Sequence, residues 1–136
     1  MNHWLYEEKE FELEDDTLIG FVYLITDLTN NKKYIGKKNF WSIRKLPPLK
    51  GQKRKRTQKK ESDWKTYHGS SEKVKLLLEE SGSERFKREI IRLCYGKGEM
   101  SYYEAKEQFD RDVLFSDEYY NEFIGCKIHA KHVNKK

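Results

Sequence analysis

Residues 21–38 read FVYLITDLTNNKKYIGKK. In an extended chain Val22, Leu24 and Thr26 fall on one face and Phe21, Tyr23 and Ile25 on the other. With both faces largely apolar, Gly20–Asp27 reads as a buried strand. LTNNKK follows as a hairpin turn, in which Asn30 and Asn31 tolerate left-handed dihedrals. Lys33–Gly36 then returns as a short second strand closed by the glycine. A hairpin accounts for the apolar residues. It does not account for one tyrosine on each strand, Tyr23 and Tyr34, beside the cations Lys37 and Lys38.

The flanking sequence builds one small α+β domain. Residues 1–19 form an arm whose Trp4, Leu5, Tyr6, Phe11 and Leu13 pack on the body. Asn39–Lys45, NFWSIRK, reads as a short helix stopped before Pro47 and Pro48. The segment at about 46–62 is basic, poor in core residues, and reads as an unpacked insertion. Ser70 or Ser71 caps a helix that ends at Gly82. Arg85–Cys94 supplies a third strand with Phe86, Ile90 and Ile91 as core, and a long helix spans about Glu99 to Leu114. Asp117–Ile124 closes the domain, and residues 125–136 form a polar tail. The expected architecture is a small three-stranded antiparallel sheet, the hairpin plus the later strand, flanked by helices over residues 20–124.

Composition bounds the function. The chain of 136 residues is 38% charged and 36% hydrophobic, so its core is thin; 14% aromatic residues nevertheless argue against disorder. The net charge of +5 conceals an asymmetry. Residues 7–16 are acidic, whereas residues 44–60 hold nine Lys or Arg and no acid. Concentrated positive charge suits a polyanion. No apolar run approaches the roughly 18 residues of a membrane span and no leader is evident, so the expected location is the cytoplasm. Cys94 and Cys126 do not make a disulfide framework. Cys94, Cys126, His129 and His132 could form a zinc site, but their spacing fits zinc motifs poorly and incidental histidines in a polar tail are favoured.

Val22–Tyr23, ten intervening residues and Tyr34–Gly36 resemble the signature of the GIY-YIG endonuclease superfamily. Arg44, eight residues after Gly36, Glu104 on the late helix and Asn121 in YYN fall in the order of that family's arginine, glutamate and asparagine. The resemblance covers roughly residues 20–124, and SDWKTYHGSS is similar to a segment of phage-encoded, homing-type members, which would place the protein in a host cytoplasm. It implies a DNA endonuclease that hydrolyses phosphodiester bonds with one divalent ion, Mg²⁺ or Mn²⁺, per active site. Glu104 would hold the metal, because one carboxylate suffices for an ion that keeps most of its waters. Tyr23 would orient the attacking water or act as base, its pKa lowered by Lys37, Lys38 and Arg44. Tyr34 would hydrogen-bond the phosphate or the water, and Arg44 would clamp the phosphate, with Lys38 as the competing cation. Asn121 completes the family set. Where many members place a histidine this chain has Pro48, so His68 or Lys38 becomes the candidate for that role.

Without the resemblance, Tyr23 and Tyr34 are strand packing, Arg44 is one more cation at a basic loop, and Glu104 is a solvent-facing glutamate like Glu99 and Glu107. Lys53, Arg54, Lys55, Arg56, Lys59 and Lys60 would grip the backbone of double-stranded DNA, with Lys37 closer to the tyrosines. Trp41 and Trp64 read as core, although with Tyr67 they also lie where bases could stack. One site per chain implies a homodimer on DNA or sequential nicks for a double-strand break. The alternatives are a non-catalytic basic nucleic-acid-binding protein on the same fold and, more distantly, a protein-interaction module.

Overall fold

The computed structural model describes residues 3–125. Cys126, His129 and His132 of the zinc alternative, and all of the polar tail beyond Gly125, lie outside the described residues. The elements in chain order are β1 (Leu5–Tyr6), β2 (Lys9–Glu10), β3 (Gly20–Asp27), β4 (Lys33–Asn39), β5 (Trp41–Leu46), β6 (Arg56–Glu61), α1 (Glu72–Ser81), β7 (Phe86–Cys94) and α2 (Lys97–Asp110). None of the described helices is long and apolar enough to cross a membrane.

The main sheet has five strands in the order β2-β1-β7-β3-β4. This corrects the three-stranded antiparallel expectation. The hairpin and the later strand are its antiparallel core, but the N-terminal arm adds β1 parallel to β7, pairing Leu5 with Glu89 and Tyr6 with Ile90. The arm is drawn in by Trp4, which is 2% exposed, stacks edge-on to Phe21 at 4.9 Å and donates its indole N–H to the Trp64 carbonyl at 2.6 Å. Burying an indole with its donor satisfied is among the larger single gains available to a thin core.

The hairpin forms as its pattern requires. Tyr23 pairs with Gly36 and Ile25 with Tyr34, and Asn31 takes the left-handed turn position at φ 61°. Phe21, Tyr23 and Ile25 face a layer with Phe40, Trp64 and Val74. Val22 and Ile35 face the other layer, with Met100 and Val113. A bulge in β7 opposite Val22 and Tyr23 absorbs Ile91, so Leu93 and Ile90 both reach the tyrosine layer. Strand β4 does not stop at Gly36 but continues to Asn39.

The basic segment also departs from expectation. Asn39–Lys45 is not helical: β5 pairs with β6 over six antiparallel positions, from Trp41 opposite Glu61 to Leu46 opposite Arg56. The segment is therefore a two-stranded ribbon rather than an unpacked insertion. Its root is fixed where Trp41 donates its indole N–H to the Leu18 carbonyl at 2.9 Å and Lys59 lies over the Trp41 ring at 4.2 Å.

Elsewhere the local signals hold. Ser71 caps α1 through its hydroxyl to the Val74 N–H, and Gly82 closes it at φ 81°. β7 begins one residue later than expected, at Phe86, and α2 starts and ends earlier, at Lys97–Asp110. Strand β4 is an outer strand, and the closing segment covers part of it. Tyr120 donates its backbone N–H to the Lys33 carbonyl at 2.7 Å, and the Asn121 amide both accepts from the Ile35 N–H and donates to the Ile35 carbonyl. At the hairpin turn Asp27 is fully buried, receiving Arg85 Nε at 2.8 Å and the Tyr120 hydroxyl at 2.7 Å. Burial opposes its ionisation, but these donors and the Thr29 N–H outweigh that and hold the carboxyl below its ordinary range.

Candidate active site

The tyrosines meet at the edge formed by β4. Tyr23 points across its pairing partner Gly36, and a β-carbon at Gly36 would stand 2.3 Å from the Tyr23 hydroxyl. Only a residue without a side chain lets the phenol pass to the edge. There its ring lies 6.3 Å from Tyr34 and 6.1 Å from Tyr67. Gly69 closes the group from above. Its φ of 92° suits glycine, and a β-carbon there would press at 3.3 Å on both Tyr23 Oη and the Tyr34 ring. The Tyr34 hydroxyl also hydrogen-bonds Ser70 at 3.0 Å.

Glu104 reaches the same edge from α2, on the opposite face of the sheet. Its carboxylate is close enough to disfavour ionisation of both Tyr23 and Tyr34. It is largely buried, with 14% of its side chain exposed, and Lys37 Nζ lies 3.9 Å away while also donating to Ser101 at 2.8 Å. Burial raises its pKa, with Lys37 partly offsetting the rise. The other helix glutamates have helix-internal duties. Glu99 accepts the Tyr95 N–H at the helix start, and Glu107 pairs with Arg111 at 3.1 Å.

The phenols are not activated by cations. Tyr23 is pushed well above the ordinary phenol value, first by burial and then by Tyr67, Tyr34 and Glu104. Tyr34 is raised for the same first reason, with its Ser70 hydrogen bond opposing. Both are neutral at physiological pH, contrary to the expectation that lysines and Arg44 would lower Tyr23. Lys38 does touch the cluster, lying 4.2 Å over the Tyr67 ring, but its Nζ is held by Asp63 Oδ1 at 2.6 Å.

Arg44, expected on a helix, sits instead on β5 opposite Gln58 and is exposed. The reason is geometric. A helix after β4 rises about 1.5 Å per residue and folds its side chains back toward the sheet, whereas a strand carries them outward at about 3.3 Å per residue. His68 is likewise turned elsewhere: Nδ1 donates to the Thr66 carbonyl at 2.8 Å, and the ring lies against Phe86. It lines a cleft of about 930 Å³ beneath the arm, with Trp4, Leu78 and Arg88, which neither Tyr23, Tyr34 nor Glu104 enters. Burial, then Arg88, lowers its pKa, so the imidazole is neutral. Asn121 stands beside the site as the clamp on Ile35. Lys53, Arg54 and Lys55 lie in the ribbon's connection, and Arg56, Lys59 and Lys60 on β6, all exposed. Asp63 and Gly69 join the site with no expectation from the sequence, Ser70 is a helix-cap candidate that instead bonds Tyr34, and Tyr67, a stacking candidate, packs against Tyr23; the segment SDWKTYHGSS contains all four.

A family model described as "Putative endonuclease segE, GIY-YIG domain" matches residues 4–124. Comparison with curated proteins and with solved structures gives no match.

Proposed function

The chain belongs to the GIY-YIG endonuclease family, and from that premise we propose that it hydrolyses phosphodiester bonds of double-stranded DNA at the Tyr23–Tyr34–Glu104 edge. The observation that carries this reading is the meeting of two neutral phenols and one part-buried carboxylate at an outer strand.

Among the described residues no group of three or more His, Cys, Asp or Glu side chains could hold a metal. A single carboxylate with hydroxyls nearby fits Mg²⁺ or Mn²⁺, which retain several waters, and fits neither a tetrahedral zinc nor an all-protein calcium cage. Glu104 would hold the ion. When bound, such an ion polarises the phosphate and stabilises the leaving oxygen.

The chain's own groups do the rest. Tyr23, protonated and fixed over Gly36, orients the attacking water through its hydroxyl rather than removing its proton. Tyr34 hydrogen-bonds the phosphate or that water. Lys38, released from Asp63, is the cation available to the phosphate next to the tyrosines, and Lys37 holds Glu104 in its charged form. The water oxygen forms a bond to phosphorus as the ester bond to the leaving oxygen breaks; the attacking water gives up a proton to solvent and the leaving oxygen takes one up from solvent, leaving one phosphate-bearing end and one hydroxyl end. The cations at 53–56 and 60 hold the DNA backbone, while Lys59 secures the ribbon to the body over Trp41. Two chains on one duplex, or one chain acting twice, would cut both strands, and a phage-encoded, homing-type role is part of this proposal.

The test is supercoiled plasmid incubated with Mg²⁺, with EDTA, and with the Glu104→Ala protein. Cutting by the wild type with Mg²⁺ alone supports the reading. Equal cutting by Glu104→Ala overturns the role of Glu104. Salt-sensitive binding without any cutting would make the chain a binding protein on this fold.

A further inference from the structure

The ribbon sorts its side chains by face. Residues directly opposite one another share a face of an antiparallel pair. Trp41, Ile43, Lys45, Thr57, Lys59 and Glu61 therefore form one face, and Ser42, Arg44, Leu46, Arg56, Gln58 and Lys60 the other. The first face is tied to the body: Trp41 bonds the Leu18 carbonyl, and Lys59 both covers Trp41 and donates to the Asp16 carbonyl at 3.2 Å. The pleat accordingly turns Arg44, Gln58, Arg56 and Lys60 away from that anchor. At its centre Arg44 faces Gln58.

The charge on this ribbon is unbalanced. Residues 42–60 contain nine Lys or Arg and no acid, and among the described residues none of those nine forms an ion pair. On the body, by contrast, Lys37, Lys38, Arg85, Lys106 and Arg111 each have a carboxylate partner. A hairpin of exposed, like-charged side chains is complementary to a polyanion.

We propose that the β5–β6 ribbon enters the major groove of DNA and that its Arg44–Gln58 pair reads base edges there. This rests on the DNA-substrate part of the proposed function. Two strands about 4.8 Å apart, with their side chains, fit a groove about 12 Å wide. The deep, narrow major groove of A-form RNA does not admit such a ribbon. Arginine and glutamine are the side chains that bond guanine and adenine bidentately in that groove, and here they stand side by side at mid-ribbon. The connection, with Lys53, Arg54 and Lys55, meets phosphates and positions the ribbon without reading sequence. Arg44 thus serves recognition rather than phosphate activation. The ribbon leaves the main sheet at Phe40, next to the end of β4, so a groove-bound ribbon keeps the tyrosine edge against the same duplex.

The experiment is selection of bound duplexes from a random-sequence DNA pool in EDTA, where no cutting is needed, with plasmid cutting in Mg²⁺ measured separately. Wild type enriches a short motif. Arg44→Ala loses preference at one position and Gln58→Ala at a neighbouring one, each by about 5- to 150-fold, the worth of one bidentate contact. Replacing Lys53, Arg54 and Lys55 by Ala weakens all sequences alike and reduces the salt slope by about 2.7. Circular dichroism checks that these exposed substitutions leave the fold intact. A wild-type pool with no motif, an unchanged motif in both single variants, or equal competition by double-stranded RNA overturns the proposal. If the motif and its loss are recorded but plasmid is never cut, the nuclease reading fails and the ribbon proposal stands. If plasmid is cut and no motif emerges, the reverse holds.

Discussion

The phenol of Tyr23 lies across Gly36, where a β-carbon would stand 2.3 Å from its oxygen and 2.5 Å from the ring carbon that bears it. The glycine of YIG is therefore a gap through which a tyrosine of the neighbouring strand reaches the sheet edge. Gly36→Ala must displace a ring packed against Trp4 at 5.3 Å. It should cost about 1–3 kcal/mol in urea unfolding, the usual cost of overpacking. Plasmid cutting should fall further than DNA affinity, because the displaced group is the one assigned to the water.

Tyr23 should not titrate in the range where the protein works. Burial and three negative-going neighbours push its pKa well above 10, so the phenol is protonated throughout neutral pH. Tyr23→Phe should abolish or sharply reduce cutting, while the phenolate absorbance lost in that variant should belong to a transition above pH 10. A Tyr23 transition near neutrality would restore it as general base.

Glu104→Gln should remove Mg²⁺-dependent cutting without destabilising the fold. The sign follows from burial: the folded-state pKa is raised, so the unfolded chain gives up the proton first and stability falls as pH rises from the unfolded value, about 4.3, through the folded one. The amide variant lacks that decline. Parallel urea melts of the two proteins across pH 4 to 7, a window of about three units set by that reference value, read the difference directly.

Asp27 carries the opposite sign. Its carboxyl is held below the ordinary range by Arg85, Tyr120 and the Thr29 N–H, which together overcome its burial. Its contribution is present above the unfolded value of about 3.9 and is lost as pH falls through the lower folded value. Asp27→Asn leaves Arg85 without its charge partner and should lower stability at neutral pH, with a shallower acid dependence than wild type. Thermal melts over an acid series check both statements.

Asn121→Ala strips the Ile35 N–H and carbonyl of one partner each, leaving the carbonyl with Gln108 Nε2 at 3.2 Å. The buried N–H then has no acceptor, at a cost of about 1–3 kcal/mol. Because Ile35 lies between Tyr34 and Gly36, hydrogen exchange at the Ile35 amide should rise together with a loss of cutting. Protection equal to wild type would show that the clamp is not what orders this strand.

What the sequence determined by itself was local and periodic. The two-residue alternation over Gly20–Asp27, the Asn31 turn and the Ser71 and Gly82 caps each depend on neighbours along the chain, so each is legible without a structure. The order Tyr23, Tyr34, Glu104 and Asn121 was likewise visible, although nothing along the chain stated that a missing side chain at Gly36 lets elements on opposite faces of a sheet share one edge. Long-range pairing was decided only in three dimensions. Strand β1 joins β7 across more than eighty residues with only two residue pairs, a register no short window encodes. The ribbon was hidden for a different reason: its strands have no apolar face, and the anchor that orders them, Trp41 on the Leu18 carbonyl beneath Lys59, draws on three separated segments. That tertiary anchor moved Arg44 from an expected helix onto a strand, because a residue's neighbours in space are set by which surfaces can be buried together and not by its spacing from a motif.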